Sequence, residues 1–375
     1  MKLLAFMEPH ASSDRKRLLT GPKILIDLRA RPRTGIYRYS CEIMNGVPLP
    51  CEPYHDYLLN YGKTPKVSRF KAFLRLLHEA FVLPFLLKRK KAALFHCTKN
   101  FGLPLFTFGT KRVLTLLDVI PLRFPDYSPN FIARMYYYWN IFISCLVADK
   151  IICISHFTAE ELSLLFPFVR KKQVVSYLGV NFDHFNKMEI EDFRIAELGL
   201  HRKFLLTIGG TETRKNTGIV MDLFCSGELP DYDLVVIGDE WKGHRFSPEQ
   251  LNNPRIHLLG RVSEKNLVAL YHQAAAFVFP SIYEGFGLPP LEAMASGTPV
   301  IAAKSSCLPE ILGDAVEWFN PASSNDLLRA VQKVTGNSEY RQELVRRGFE
   351  RAKSYTWENT IRETLEVYQS VLNGK

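Results

Sequence analysis

The sequence predicts an α/β protein with two doubly wound parallel sheets, each covered by helices on both faces. Short apolar runs rich in β-branched residues alternate with stretches of helical periodicity, a pattern typical of parallel sheets. Two such series follow each other, with KILIDL (23–28) and RVLTLLDV (112–119) in the first and FLLTIGG (204–210) and DLVVIGD (233–239) in the second. Ligands of open parallel sheets bind at the carboxyl ends of the strands, so we expect the functional site in a cleft between the two domains.

The domain boundaries follow from the places where the strand runs stop. Regular strands lapse and charge rises over residues 181–204. The sequence therefore predicts an N-terminal Rossmann-like domain at 1–183, a linker at 184–202 and a C-terminal Rossmann-like domain at 203–356. A last helix within residues 357–375 carries apolar residues at helical spacing and is expected to pack on one of the domains.

Composition favours a cytoplasmic protein with an anionic partner. The chain has 375 residues, and it contains no apolar run of the about 18 residues that a transmembrane helix needs. Its seven cysteines form no C-x-x-C pair and are expected to be reduced thiols. Residues 1–180 carry 27 Lys and Arg against 12 Asp and Glu, whereas the remainder carries 21 against 26. The basic half favours nucleic acid, anionic lipid or a phosphorylated substrate, and charge alone does not choose among them.

The stretch FPSIYEGFGLPPLEAMASGTPVIA (279–302) predicts an anion-binding loop. A strand leads into a loop with two glycines, and Pro289 or Pro290 fits the first turn of the following helix, where a missing N–H costs nothing. Gly297 is expected to end that helix. The free N–H groups of the first turn carry a partial positive charge, which suits a diphosphate.

Two carboxylates, Glu284 and Glu292, flank this loop and indicate the chemistry of its ligand. A carboxylate repels a phosphate, so both are expected to accept hydrogen bonds from neutral hydroxyl groups on either side of the phosphates. Phosphates between two polyols describe a nucleotide sugar, with ribose on one side and the transferred hexose on the other. The alternative is that Glu284 caps a helix and Glu292 is a solvated carboxylate of the first turn.

The motif EGFGLPPLE (284–292) resembles the E-x7-E signature of the family-four retaining glycosyltransferases, whose GT-B architecture consists of two facing Rossmann-like domains. The resemblance covers most of the chain, and the RKN form of the phosphate turn (214–216) is similar to that of a mannosyltransferase- or rhamnosyltransferase-like subgroup. It implies transfer of a hexose or 6-deoxyhexose, with retention at the anomeric carbon, from a GDP-, UDP- or dTDP-linked donor. The implied acceptor is a glycan or a lipid-linked hydroxyl in polysaccharide or glycoconjugate biosynthesis. Because the departing phosphate takes the acceptor proton in such enzymes, no metal or other cofactor is expected.

The resemblance also implies a role for the residues around this loop. Glu292 is expected to hold the nucleotide ribose, and Lys215 to neutralise the diphosphate as it departs. Arg214 either assists Lys215 or is a surface arginine. Glu284 is expected to hold the transferred sugar and the distal phosphate, together with the amides of Gly285, Phe286, Gly287 and Leu288.

Further donor contacts are implied at three other turns. The phosphate turn contains Gly210 and Thr211 where many relatives carry an arginine nearby, which makes a second cationic contact uncertain. The turn that contains Arg261 and Val262 is expected to meet the nucleotide base through its backbone. Gly35 belongs to the glycine-containing loop after the first strand of the N-terminal domain.

The segment VLTLLDVIPLRFPDYSP (113–129) departs from the family pattern at one position. Relatives read T-x-H-D there, and Leu117 stands in place of the histidine that faces the C6 hydroxyl of the transferred sugar. Leucine cannot hydrogen-bond, so either the donor lacks a C6 hydroxyl, as a 6-deoxyhexose or pentose does, or another group supplies the contact. Asp118 either orients the acceptor or caps a turn at the strand end. His96, at the end of another strand, either contacts acceptor or donor or is a core histidine.

The segment RFKAFLRLLHEAFVLPFLLKRKK (69–91) combines an apolar helical stripe with a run of four basic residues at 88–91. Such segments can lie in a membrane interface, where anionic headgroups attract the basic side chains. Pro84 is expected to break or kink the helix. We therefore expect peripheral association with the inner face of a membrane, and the alternative is a buried helix followed by a solvated basic tail.

Two other classes of function compete with glycosyl transfer. Nucleotide-sugar 2-epimerases have the same two-domain architecture and bind the same donors, but they need acid and base groups around the sugar that cannot be assigned here. A nucleic-acid binder would explain the basic charge. However, the predicted strands of this chain lack the interleaving of aromatic and basic residues that such binders show. Nucleic-acid binding would also leave the phosphate loop unexplained, so no nucleic-acid partner is expected.

Overall fold

The structure is a computed structural model that describes residues 21–30, 35–55, 74–124, 130–187, 199–238 and 246–374. The chain divides into two compact units: unit 1 comprises Met1–Leu178 with Trp357–Lys375, and unit 2 comprises Gly179–Thr356. Most of the predicted linker, residues 188–198, lies outside the described residues, as do residues 69–73 of the basic segment.

Unit 1 contains, within the described residues, a six-stranded sheet in the order β2-β1-β3-β4-β5-β6. All pairings are parallel. The central strands read as continuous apolar runs because both faces are covered, and Ile24, Leu25 and Ile26 are fully buried. The strands are β1 (Ile24–Asp27), β2 (Cys51–Tyr54), β3 (Leu94–Cys97), β4 (Lys111–Leu116), β5 (Lys150–Cys153) and β6 (Gln173–Val175).

The helices of unit 1 connect these strands. A π-helical turn, His78–Val82, leads directly into α2, and Pro84 lies in the first turn of α2, where its missing N–H is harmless. Residues 74–77 before the π turn are also helical, so the segment is helical from 74 to 89 and its geometry changes from α to π just before Pro84. In chain order the helices are α1 (Gly35–Gly46), α2 (Leu83–Arg89), α3 (Ile120–Arg123), α4 (Phe131–Val147), α5 (His156–Leu165) and a 3-10 helix at Pro167–Lys172.

Unit 2 contains, in its described part, a second six-stranded parallel sheet in the order β12-β11-β10-β7-β8-β9. The chain moves from β7 towards one edge through β8 and β9, and from β10 towards the other through β11 and β12. The order therefore reverses between β7 and β10, which is where ligands of doubly wound sheets bind. The strands are β7 (Lys203–Ile208), β8 (Tyr232–Ile237), β9 (Ile256–Gly260), β10 (Ala276–Phe279), β11 (Val300–Ala303) and β12 (Glu317–Phe319).

The helices of unit 2 cover both faces of this sheet. One hydrophobic core extends from Val220 and Phe224 through Leu234 and Ile301 to Leu344. The helices are α6 (Phe182–Asn186), α7 (Thr217–Cys225), α8 (Pro248–Asn252), α9 (Glu264–Gln273), α10 (Leu288–Ala295), α11 (Leu308–Leu312), α12 (Ser324–Gly336) and α13 (Ser338–Lys353), with a 3-10 turn at Thr213–Lys215.

The last helix, α14 (Trp357–Leu372), returns to unit 1 and packs against α1. A Cβ added at Gly46 would lie 2.1 Å from Ile361, so glycine permits the close approach of the two helices. Thr360 donates a hydrogen bond to the Tyr177 carbonyl at 2.7 Å.

The prediction of two doubly wound parallel sheets is confirmed. Searched over the described residues, the chain has no helix that is both long and apolar enough to cross a membrane.

Candidate active site

The predicted anion site lies in unit 2, where the strand order reverses. Three segments meet there: the turn after β7 (209–216), the loop after β10 (280–287) and the turn after β11 (304–307). Because the three strands are neighbours in a parallel sheet, their carboxyl ends reach the same edge. Residues that are separated by up to about a hundred positions in sequence are thereby brought into contact.

The turn after β7 is held in a compact shape. The amide of Gly210 donates to Thr217 Oγ1 at 3.2 Å, and a Cβ on Gly209 would lie only 2.1 Å from that oxygen. Asn216 adopts a left-handed conformation with φ of 51°, which an asparagine tolerates better than most residues. The asparagine of the RKN sequence thus ends the 3-10 turn that carries the two cations.

The loop after β10 is attached to both neighbouring turns. The amide of Ile282 donates to the Arg214 carbonyl at 2.7 Å, and the amide of Glu284 donates to Ser306 Oγ at 3.0 Å. Gly287 has a φ of 104°, and a Cβ there would lie 2.8 Å from Leu308. A side chain at position 287 would therefore be both strained and crowded, which accounts for the glycine.

Glu284 binds both cations of the RKN turn through one oxygen. Its Oε1 accepts hydrogen bonds from Lys215 Nζ at 2.7 Å, from Arg214 Nη1 at 2.9 Å and from Ser281 Oγ at 2.7 Å. Burial alone would raise the pKa of Glu284, but Lys215 and Arg214 outweigh it and hold the pKa below its usual value. The carboxylate is therefore ionised at neutral pH and fixed in orientation.

Arg214 is buried, with 10% of its side chain exposed, and it also pairs with Glu212 at 2.8 Å. The alternative that it is a surface arginine is therefore wrong. Lys215 retains 18% exposure and contacts the same carboxylate. Two cations of this turn, Arg214 and Lys215, therefore contact the same carboxylate.

Helix α10 begins directly after this cluster. Gly287 is its N-cap residue, no side chain caps it, and proline occupies its first turn, as predicted. Gly297 follows the helix with a φ of 76°, as expected for the residue after a helix end. Glu292 in this helix is 8% exposed and accepts a hydrogen bond from Tyr271 at 3.3 Å. The alternative of a solvated first-turn carboxylate is therefore wrong for Glu292.

The other predicted donor residues lie on several elements. Arg261 and Val262 follow β9, the edge strand of the sheet, and Gly260 before them has a φ of 65°. The side chain of Phe286 is buried, and its ring lies 5.6 Å from that of Tyr355, so this side chain anchors the loop to the protein core. Gly35 begins α1 in unit 1, and a Cβ there would meet nothing within 4 Å.

Leu117 and Asp118 follow β4 in unit 1, and Asn100 binds both. Asn100 Oδ1 accepts from the Leu117 amide at 2.8 Å, and its Nδ2 donates to Asp118 Oδ1 at 3.3 Å. Asp118 also accepts from the amide of Ile120 at 3.0 Å, so it does cap the turn into α3. The capping role and an acceptor contact are compatible, because a carboxylate has several acceptor positions.

His96 is a core residue, which is the second of the two alternatives that the sequence left open. Its side chain is fully buried, Nδ1 lies 2.6 Å from the Tyr368 hydroxyl, and Nε2 lies 2.7 Å from Thr115 Oγ1. Burial lowers the pKa of His96 to about 3. A neutral ring with both nitrogens engaged joins β3, β4 and α14, and the residues are too far apart in sequence for this to be foreseen.

Sequence reasoning missed a buried charge cluster at the point where the strand order of the unit 1 sheet reverses, between β1 and β3. Arg29 pairs with Asp27 at 2.8 Å and with Glu79 at 3.1 Å, and Lys99 lies 3.4 Å from Asp27. Burial opposes ionisation of Asp27, yet Arg29 and Lys99 hold its pKa well below the usual range. Arg75 also pairs with Glu79, at 2.8 Å. A signal was present, since Asp27 and Arg29 directly follow the first apolar run.

Known proteins resemble this chain in sequence and in fold. Residues 189–351 match the family model described as Glycosyl transferases group 1. The chain is 28% identical over 376 residues to O-antigen chain mannosyltransferase B of Escherichia coli, covering 90% of this chain and 96% of that one. It is 27% identical over 286 residues to the serotype-specific mannosyltransferase WbdA of Escherichia coli, and the match covers 70% of this chain but 34% of that protein.

The structure is similar to that of sucrose-phosphate synthase from Thermosynechococcus elongatus. The TM-score is 0.72 at 19% identity, and the match covers 95% of this chain and 100% of that chain. This likeness and the two parallel sheets establish the GT-B fold. The family model and the named relatives support a glycosyltransferase.

Proposed function

We propose that the chain is a retaining glycosyltransferase that moves a hexosyl or 6-deoxyhexosyl group from a nucleotide sugar to a hydroxyl of a glycan or lipid-linked acceptor. The observation that carries this proposal is the contact of Lys215 and Arg214 with Glu284 beside the uncapped start of α10. Cations, backbone N–H groups and a fixed carboxylate stand together there, which suits a diphosphate joined to a sugar.

The charges of the cluster favour diphosphate over monophosphate or a neutral ligand. Lys215 and Arg214 are balanced by Glu284 and Glu212, and the first turn of α10, which contains no acidic residue, adds partial positive charge. A diphosphate carries enough charge to draw Lys215 away from Glu284. The freed carboxylate can then accept hydrogen bonds from the sugar hydroxyls.

Glu292 is proposed to hold the ribose of the donor. Its carboxylate is buried and its orientation is fixed by the hydroxyl of Tyr271. A carboxylate accepts two ribose hydroxyl donors more strongly than a neutral acceptor would. The turn that contains Arg261 and Val262 is proposed to contact the nucleotide base through its backbone. Gly210, Thr211 and Gly35 are proposed to contact the donor.

The transferred sugar is proposed to be mannose or a 6-deoxy relative of rhamnose type. The names of the relatives, O-antigen chain mannosyltransferase B and WbdA, favour mannose. Leu117 favours a donor without a C6 hydroxyl, since its side chain offers no hydrogen bond. The acceptor is proposed to be a growing glycan or its lipid carrier. Asp118 is proposed to orient the hydroxyl group of the acceptor.

The reaction is proposed to proceed on one face of the sugar. The bond between the anomeric carbon and the diphosphate oxygen breaks while the acceptor oxygen bonds to the same carbon on the same face. The acceptor proton passes to the departing phosphate oxygen, and Lys215 and Arg214 stabilise the negative charge of that leaving group. No metal or cofactor takes part in this scheme.

The two competing functions gain no support from the comparisons. The relatives are named as transferases, not as 2-epimerases or nucleic-acid binders. An epimerase would also act on the donor without an acceptor, which gives a direct way to separate the two.

The test is release of nucleoside diphosphate from GDP-mannose, UDP-glucose and dTDP-rhamnose, with and without alkyl-linked mannosides as acceptors. Acceptor-dependent release with a glycosylated product supports transfer, and NMR of that product reports its anomeric configuration. An inverted product would contradict retention while leaving transfer intact. Donor epimerised in the absence of acceptor would contradict the proposed transfer.

A further inference from the structure

Exposed apolar side chains are concentrated on unit 1. Among the described residues, all fifteen large hydrophobic side chains that are exposed lie between Leu74 and Phe168, and unit 2 contributes none. Single exposed apolar residues are ordinary, but such an imbalance between two units of one chain indicates a surface that meets something other than water.

Five of these side chains form an aromatic patch, defined here as Phe81, Phe85, Leu105, Phe106 and Phe108. Phe85 and Phe108 have ring centroids 5.2 Å apart, and Phe106 lies 5.9 Å from Phe108. Phe81 is 60% exposed and Phe85 59%. The rings of Phe85, Phe106 and Phe108 therefore join α2 to the loop between β3 and β4, and all three remain exposed.

Basic residues border this patch. Lys88 Nζ lies 4.6 Å from the ring centroid of Phe108, and Arg89 and Lys91 are exposed beside it. Not every cation of this region belongs to the border, since Lys99 lies 3.4 Å from Asp27 and Lys111 lies 4.0 Å from Asp149. Glu52, on β2, accepts from Lys90 at 3.2 Å and also pairs with Lys23. The positive border of the patch therefore consists of the exposed residues Lys88, Arg89 and Lys91.

A second set of exposed apolar residues lies on the same face of the sheet. The connections from β2 to β3, β4 to β5 and β5 to β6 all cross the sheet in one direction, so right-handed crossovers place α2, α4 and α5 on one face. The β3–β4 loop is tied to α4, because Gly102 donates to Ser144 Oγ at 3.0 Å. Exposed side chains on this side are Phe131, Ile132, Trp139, Leu146, Leu164 and Phe168, followed by exposed Arg170 and Lys171.

We propose that the aromatic patch and its basic border bind the surface of an anionic lipid bilayer. Exposed rings insert between headgroups, and lysine and arginine beside them attract anionic lipid. The positive border disfavours a second copy of this chain, whose patch would carry the same charge. Exposed aromatic rings beside basic side chains are typical of surfaces that bind anionic lipid, and this favours a bilayer over an acidic protein. The proposal goes beyond glycosyl transfer and does not rest on it.

The test is co-sedimentation of the full chain with phosphatidylcholine vesicles, with and without phosphatidylglycerol, at low and high salt. We expect binding only to vesicles with phosphatidylglycerol, weakened by salt. A basic residue near such a surface contributes about 1 kcal/mol, so Lys88→Glu with Arg89→Glu should lower partition at least about 30-fold. Phe85→Ser with Phe108→Ser should lower it at both salt concentrations.

The matched control is Lys203→Glu with Lys353→Glu, which makes the same charge change on exposed positions of unit 2. It should bind vesicles like the wild type, and circular dichroism should show every variant folded. Equal binding of the Lys88 and Lys203 variants would overturn the proposal, as would failure of the wild type to bind phosphatidylglycerol vesicles. A dimer in the absence of lipid that the Phe85 variant abolishes would assign the patch to a second copy and also overturn it.

Discussion

Lys215 Nζ lies 2.7 Å from Glu284 Oε1, although the two residues are 69 positions apart in sequence. They come from the segments after β7 and β10, the neighbouring strands between which the sheet order reverses. The contact joins a cation suited to phosphate with an acid suited to sugar hydroxyls. It thus brings the two halves of the proposed nucleotide-sugar site together in one unit.

Replacing Lys215 by methionine should slow glycosyl transfer. The variant loses a fixed positive charge at the leaving group, which typically costs about 3 to 4 kcal/mol, or roughly 10²- to 10³-fold in kcat. The measurement is the rate of nucleoside diphosphate release with acceptor present. Lys203→Met is the matched control, because Lys203 is exposed at the opposite end of β7 and should transfer at the wild-type rate. Transfer by Lys215→Met at the wild-type rate would remove Lys215 from the mechanism.

Glu284→Gln should separate donor binding from transfer. The variant removes the anion that balances Lys215 and Arg214, so nucleoside diphosphate should bind at least as tightly as to the wild type. Transfer should fall by roughly 30-fold, since a hydrogen bond to a charged group contributes about 2 kcal/mol. Calorimetry with GDP, UDP and dTDP and a transfer assay measure the two effects. Loss of diphosphate binding in this variant would contradict the assignment of Glu284 to the sugar.

Leu117→His should shift donor preference towards 6-hydroxylated sugars. A histidine there can hydrogen-bond a C6 hydroxyl, which is worth about 1.4 kcal/mol, or tenfold in relative kcat/KM. The measurement compares mannose and 6-deoxymannose donors on the nucleotide that binds. Leu117→Met conserves apolar volume and should leave the ratio unchanged. A wild type that already prefers mannose strongly over 6-deoxymannose would refute the 6-deoxy interpretation of Leu117.

His96 should make unit 1 sensitive to acid. Its folded pKa of about 3 lies below the usual value of about 6.5, so the unfolded chain binds the extra proton between these values and stability falls as pH drops below 6.5. Two pH units below 6.5, this effect amounts to at most about 2.7 kcal/mol. Chemical denaturation at pH 7 and at pH 4.5 measures the free energy of unfolding. Between these two pH values His96→Gln should lose less of it than the wild type does. The control is His201→Gln, at an exposed position, which should lose as much free energy of unfolding as the wild type.

Much of the architecture could be predicted because it is encoded locally. The apolar runs, the two prolines in the first turn of α10 and the glycines at 287 and 297 each determine nearby backbone, and the structure contains the elements they predict. The contact of Arg214 with Glu284 was not foreseen, because it depends on which strands become neighbours. The same holds for His96, whose partners Thr115 and Tyr368 lie on other elements.

The central claim is that the cations after β7 hold the diphosphate of the donor. Calorimetric titration of GDP, UDP and dTDP, and of the matching monophosphates, into the wild type and Lys215→Met tests it most directly. At least one diphosphate should bind the wild type and should bind Lys215→Met at least about tenfold more weakly, while its monophosphate should bind both proteins alike. Equal affinity of both proteins for that diphosphate, or no binding of any of the three to the wild type, would show that these cations do not hold the diphosphate.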